Sequence, residues 1–203
     1  SFINSAPAVG EFLTATVFGI MITLGTFYIQ TGYFSFEALL LSLPVSLLIA
    51  GVLIINQFPD AKSDEKTNKQ TLVVRLGKVK AKNILFTLFG ISFLIIALLP
   101  ILGYAPYNIY FSFIAVPFVI QAIRYIQNNY TKTSFDLISG NAHTAIAHLV
   151  TGLLLVFAFL LETSSLLFSL VYLVVSLLLV VWMWNYIETK RKDMESFRAS
   201  FRK

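Results

Sequence analysis

The sequence contains no cysteine. Disulfide frameworks, thiolate nucleophiles and cysteine-ligated metal centres are therefore excluded. Histidine is nearly absent as well. His143 and His148 are the only two, and a spacing of five does not put them on one helical face, so a shared metal is not expected. Charged residues make up 12% of the chain, against about a quarter of an ordinary soluble domain. No convincing internal repeat or low-complexity linker stands out. No basic segment leads the first apolar run, and such runs recur along the chain, so none reads as a cleaved signal peptide.

What the chain has in quantity is apolar residues, at 57%. Several charge-free runs reach the roughly 20 residues needed to cross the hydrocarbon core of a bilayer. Six spans are expected: 12–29, 38–58, two within the uncharged stretch 83–123, 142–161 and 166–187. The stretch 83–123 is too long for one span, and the Gly and Pro of 103–108 mark a turn inside it. Lipid requires backbone groups to be satisfied within each segment, and no ten-residue alternation suggests a barrel. The fold class is an all-α integral membrane protein, a single membrane domain over 1–203. Pro44 and Pro117 fall inside spans and are expected to kink them.

The connectors set an orientation. All fifteen Lys and Arg residues lie in 58–83, 124–136 or the tail from 188, and the other three connectors hold none. By the positive-inside rule these three segments, the polar loop 56–83 and both termini are cytoplasmic. The net charge of +5 is thus explained by topology, and no nucleic-acid partner is expected. Trp182, Trp184 and Tyr186 sit where interfacial anchors belong. The basic tail 188–203 reads either as a solvated flank or as a short helix lying on anionic headgroups.

The concentrated polar chemistry lies in Asn56–Gly77, NQFPDAKSDEKTNKQTLVVRLG. Asn56, Asp60 and Asp64 recur every four residues, which aligns them along one face of a helix. Pro59 leaves open whether the helix continues or gives way to a loop after Phe58. Oxygen-only ligands suit a hard cation. Mg²⁺ takes one or two carboxylates and completes its shell with water and phosphate oxygens. Lys66, Lys69 and Arg75 supply positive charge for a multiply anionic partner, as loss of diphosphate requires. An ordinary cytoplasmic loop with mixed charge is the alternative reading of the spacing alone.

This stretch resembles the second aspartate-rich motif of the UbiA-type intramembrane prenyltransferases, N-x-x-x-D-x-x-x-D-x-x-x-G-K-x-T-L-x-x-x-L-G. Asn56, Asp60, Asp64, Lys69, Thr71, Leu72, Leu76 and Gly77 match it. Segment 24–32, LGTFYIQTG, is similar to the branch that prenylates dihydroxynaphthoate, and 145–155 is compatible with that branch. Asn68 stands where the family usually has Gly, and Gln70 where this branch often has Arg. Asn tolerates a left-handed backbone, so the loop shape is expected to survive.

The resemblance implies transfer of a prenyl group from a polyprenyl diphosphate to an aromatic acceptor, with Mg²⁺ as cofactor, in a bacterial inner membrane. It also implies a first motif, N-D-x-x-D-x-x-x-D, which this sequence does not contain. The chain is accordingly expected to correspond to the C-terminal half of a fold of about nine helices, without its N-terminal half. Its start at Ser1 rather than Met points the same way. Asp60 and Asp64 are the catalytic candidates and Asn56 joins them as a metal ligand. Lys66, Lys69 and Arg75 are the diphosphate candidates, and His148 is a candidate acceptor contact. Nineteen Phe and nine Tyr are compatible with a lined lipid tunnel or with plain packing. Glu11, Glu37 and Glu162 lie at span edges and are assigned no function. The sequon at Asn129–Thr131 is expected to be fortuitous. A UbiA-like enzyme with another acceptor, a transporter-like ion relay and a non-catalytic scaffold are the competing functions.

Overall fold

The computed structural model describes residues 9–132 and 134–200. Thr133, in the second basic connector, and residues 201–203 of the basic tail lie outside the described residues. The elements are α1 (Val9–Ala15), a π-helical segment (Thr16–Met21), α2 (Ile22–Thr31), α3 (Phe36–Lys66), α4 (Leu72–Ile101), a 3-10 segment (Tyr107–Ala115), α5 (Val116–Asn129), α6 (Ser134–Thr163) and α7 (Leu166–Ser200). No strand occurs among the described residues. Six helical stretches among them are long and apolar enough to cross a membrane, with α1 to α2 forming the first and the 3-10 segment with α5 the fourth. The all-α membrane architecture read from the sequence is borne out.

The motif helix α3 forms the middle of the bundle. Leu48, Ile54, Ile55 and Phe58 are buried on it, and it packs most extensively against α4 and α6. Gly51 permits the α3–α4 approach, because a Cβ there would lie 3.0 Å from Leu85 and 3.1 Å from Phe89. Gly19, in the π segment, lies so close to α3 that a Cβ would come within 2.5 Å of the Ser46 Cα. Across the α3–α4 interface the buried Ser92 hydroxyl donates to the Pro44 carbonyl at 3.0 Å.

Two contact sets mark the ends of the bundle. At one end Asn108 Nδ2 donates to Glu162 at 2.7 Å, and the rings of Phe36 and Tyr104 meet at 5.7 Å. At the other end Asn141 bonds Asn56, and Lys82 lies 4.4 Å from the centre of the Tyr130 ring. Lys82 is buried, and this aromatic face satisfies part of its charge. The described Lys and Arg residues lie toward this second end, so the charge asymmetry of the sequence becomes a polarity of the bundle.

Pro117 lies within the fourth span, at the first turn of α5 where the 3-10 segment passes into the α-helix. One expectation about helix ends changes. Residues 56–83 are not a loop. α3 runs through Pro59 to Lys66, α4 starts at Leu72, and only 67–71 connects them. The expected turn at 103–108 is present, with Gly103 at φ 79°.

Candidate functional site

Because α3 continues to Lys66, Asn56, Asp60 and Asp64 occupy successive turns of one helical stripe. With a rise of about 1.5 Å per residue the stripe is about 12 Å long. Neighbouring members can share an ion, whereas Asn56 and Asp64 stand too far apart to meet on one. The arrangement is a row rather than a point.

The three side chains have different surroundings. Asp60 is exposed and Asp64 is buried. One Asp64 oxygen, Oδ1, lies 3.3 Å from Lys69 Nζ. The other, Oδ2, is buried without a hydrogen-bond partner. Asn56 is exposed, and its Oδ1 accepts from Asn141 Nδ2 of α6 at 2.9 Å.

Lys69 reaches Asp64 through a defined helix terminus. Asn68 takes φ 55°, the Lys69 N–H donates to the Asp64 carbonyl at 2.9 Å, and the Asn68 N–H donates to Glu65 at 3.2 Å. These are the two bonds of a Schellman motif. The left-handed backbone expected at Asn68 is present. Thr71 then caps α4, its hydroxyl accepting from the Val74 N–H at 3.4 Å. The first turn of α4 carries the half-buried Arg75 and ends at Gly77, whose φ of 78° and ψ of 157° are open essentially to glycine alone. Lys66 is different. It follows Asp64 by two residues on the helix, about 200° around the axis, and so faces away from the stripe.

Three contributors were not recognised in the sequence. Glu11 of α1 is buried rather than lying at an open edge. Its Oε1 accepts from Gln57 Nε2 at 2.6 Å and from the Leu72 N–H at 3.1 Å. Gln57 Oε1 in turn accepts from the Val73 N–H at 3.4 Å. Glu11 and Gln57 thus tie the motif helix to the N-terminus of α4, where backbone N–H groups lack intrahelical partners. Asn141 is the third. An amide just ahead of the apolar run 142–161 was the available signal.

His148 lies on α6 seven residues after Asn141, two turns deeper on the same face. Its Nδ1 is buried without a hydrogen-bond partner. His143 points elsewhere: its Nδ1 lies 2.6 Å from the Ser139 carbonyl. Glu37 accepts from Ser35 at 2.6 Å, which fits its place at a helix start.

Residues 1–137 match the UbiA prenyltransferase family. The chain belongs to that family. Among curated proteins it is similar to the 1,4-dihydroxy-2-naphthoate octaprenyltransferase of Bacillus subtilis, with 26% identity over 66% of the chain and 44% of the relative. The Escherichia coli enzyme of the same name is 29% identical over 58% of the chain and 38% of its own length. That of Haemophilus influenzae is 36% identical over 36% and 24%. The chain therefore spans less than half the length of the curated relatives it matches. No solved structure matches it. The resemblance read from Asn56–Gly77 is borne out. The UbiA match stops at 137, before Asn141, His148 and all of α7.

Proposed function

We propose that this chain supplies one wall of a diphosphate-ionising site for prenyl transfer to 1,4-dihydroxy-2-naphthoate, on the cytoplasmic face of a bacterial inner membrane. The observation that carries the reading is the stripe of Asn56, Asp60 and Asp64 with Lys69 folded back onto it. The names of three curated relatives support the reaction class and the acceptor.

The donors fit Mg²⁺. They are all oxygens, and Asp64 Oδ2 is buried with no hydrogen bond of its own. Among the described residues no group of three His, Cys, Asp or Glu could hold a metal. Two neighbouring members of the stripe, Asp60 with either Asp64 or Asn56, would leave positions for water and substrate phosphate, as Mg²⁺ prefers. Bound there, the ion would supply Lewis-acid stabilisation to the departing diphosphate.

The protein side chains have separate tasks. Lys69 and Arg75 bring positive charge to the phosphate oxygens, while Asn141 holds the Asn56 amide in place. His148 reaches the acceptor ring from the deeper face of α6. Lys66 contributes surface charge only. In the reaction the C1–O bond of the prenyl diphosphate breaks and diphosphate leaves with the electron pair. A ring carbon of the acceptor bonds to C1. Loss of the ring carboxylate as CO₂ returns electrons to the ring. An apolar groove of about 650 Å³ with Phe27, Val45 and Phe159 in its walls offers room for the lipid tail. Val45 is about 16 Å along α3 from Asn56.

The test uses membranes containing the protein, a polyprenyl diphosphate, 1,4-dihydroxy-2-naphthoate and Mg²⁺, with product measured by mass spectrometry. Asp60→Asn should lower product formation by at least about 100-fold, as losing charge stabilisation at a leaving group does. Unchanged turnover in that variant would remove the stripe from the mechanism. Turnover only with another aromatic acceptor would overturn the acceptor assignment.

A further inference from the structure

A second polar site lies at the same end of the bundle, on the other side of α6. α5, α6 and α7 form a half-open cavity of about 260 Å³ lined by Gln121, Tyr125, His143, Trp184, Glu188 and Arg191, among others. His143 follows Asn141 by two residues, about 200° around the helix. Since Asn141 reaches the motif helix, the cavity faces away from Asp60 and Asp64. Its volume is below the roughly 300–1,000 Å³ of pockets that enclose drug-sized molecules, so it suits a small polar group.

The walls are chemically specific. The Ser139 carbonyl at 2.6 Å places the His143 proton on Nδ1. The imidazole ring stacks on Tyr125, with centroids 6.5 Å apart and planes at 20°. It meets Trp184 edge-on at 5.4 Å. Glu188 and Arg191 complete the lining from α7. Their carboxylate and guanidinium are joined through Arg191 Nε at 3.0 Å and Nη2 at 2.5 Å. The pair offers both signs of charge with no net charge.

We propose that this cavity binds the headgroup of a phospholipid bearing a primary ammonium and a phosphate, that is, a phosphoethanolamine lipid. Aromatic faces attract a cation. The Glu188 carboxylate accepts N–H bonds, which a primary ammonium can donate and a quaternary one cannot. Arg191, whose Nε and Nη2 are held by Glu188, offers the phosphate its positive charge. A headgroup without an amine would leave the Glu188 carboxylate and the aromatic faces without a cation. The site sits beside Trp182 and Tyr186, both exposed, at the level where aromatic residues meet headgroups. The bound lipid would fasten α7, of whose span only 11% is buried, to α5 and α6.

The test is native mass spectrometry of the purified protein from nanodiscs holding equal amounts of ethanolamine, choline and glycerol phospholipids with identical acyl chains. The ethanolamine lipid should be retained about tenfold over the others, the scale of one charged hydrogen bond. Glu188→Gln should bring retention to parity. Exchanging the pair, Glu188→Arg with Arg191→Glu, keeps an ion pair on the helix but reverses its charges and should also abolish the preference. Equal retention by the unaltered protein, preference for the glycerol lipid, or an ethanolamine preference that survives both variants would overturn the proposal. Equally tight binding of soluble phosphoethanolamine would overturn the membrane lipid as its occupant.

Discussion

Asn68 shows how one residue sets the geometry of the candidate site. Its φ of 55° turns the chain so that Lys69 can reach Asp64. A β-branched residue at this backbone angle costs about 1–2 kcal/mol, whereas glycine adopts it freely. Asn68→Val should therefore lower the thermal midpoint in detergent, and Asn68→Gly should leave it unchanged or raise it slightly. Equal midpoints for all three would show that the turn does not depend on this angle. The left-handed backbone was legible in the sequence because Asn replaces the family's Gly. The unequal surroundings of Asp60 and Asp64 were not, because burial depends on how α4 folds back beside α3.

At the scale of elements, the sequence pattern located the helices better than their ends. Pro59 left two readings of the motif, and the helical one holds. Phe58 beside it is fully buried in the core, so packing offsets the lost backbone bond. Glu11 and Gln57 were missed because their partners, the N–H groups of Leu72 and Val73, become available only when α4 starts where it does. Removing the Glu11 carboxylate leaves Gln57 Nε2 and the Leu72 N–H without that acceptor. Glu11→Ala should cost about 1–3 kcal/mol, measured by thermal unfolding in detergent, whereas Glu11→Gln should recover much of it through its amide oxygen. Identical loss in both variants would mean that the carboxylate charge, rather than the acceptor, matters. Asn141 was missed for a related reason. Its value lies in facing Asn56 across the α3–α6 interface, and such pairing is set by packing rather than by local sequence.

For the whole molecule, composition and charge placement already implied six spans and a cationic end. The six helices are present among the described residues, and the described basic residues cluster at one end. Single cysteines introduced at Asn68 and Lys132 into this cysteine-free chain should react with an impermeant maleimide only from the cytoplasmic side of sealed vesicles. Cysteines at Tyr104 and Ser164 should react only from the opposite side. Labelling of Asn68 and Tyr104 from the same side would contradict the topology. The central claim is that the Asn56–Asp64 stripe holds diphosphate through Mg²⁺. Its most direct test is equilibrium binding of a non-hydrolysable prenyl thiodiphosphate to the purified protein, with and without Mg²⁺. Binding should depend on Mg²⁺ and weaken by at least about tenfold in Asp60→Asn. Binding of equal strength without Mg²⁺, or in Asp60→Asn, would contradict the account.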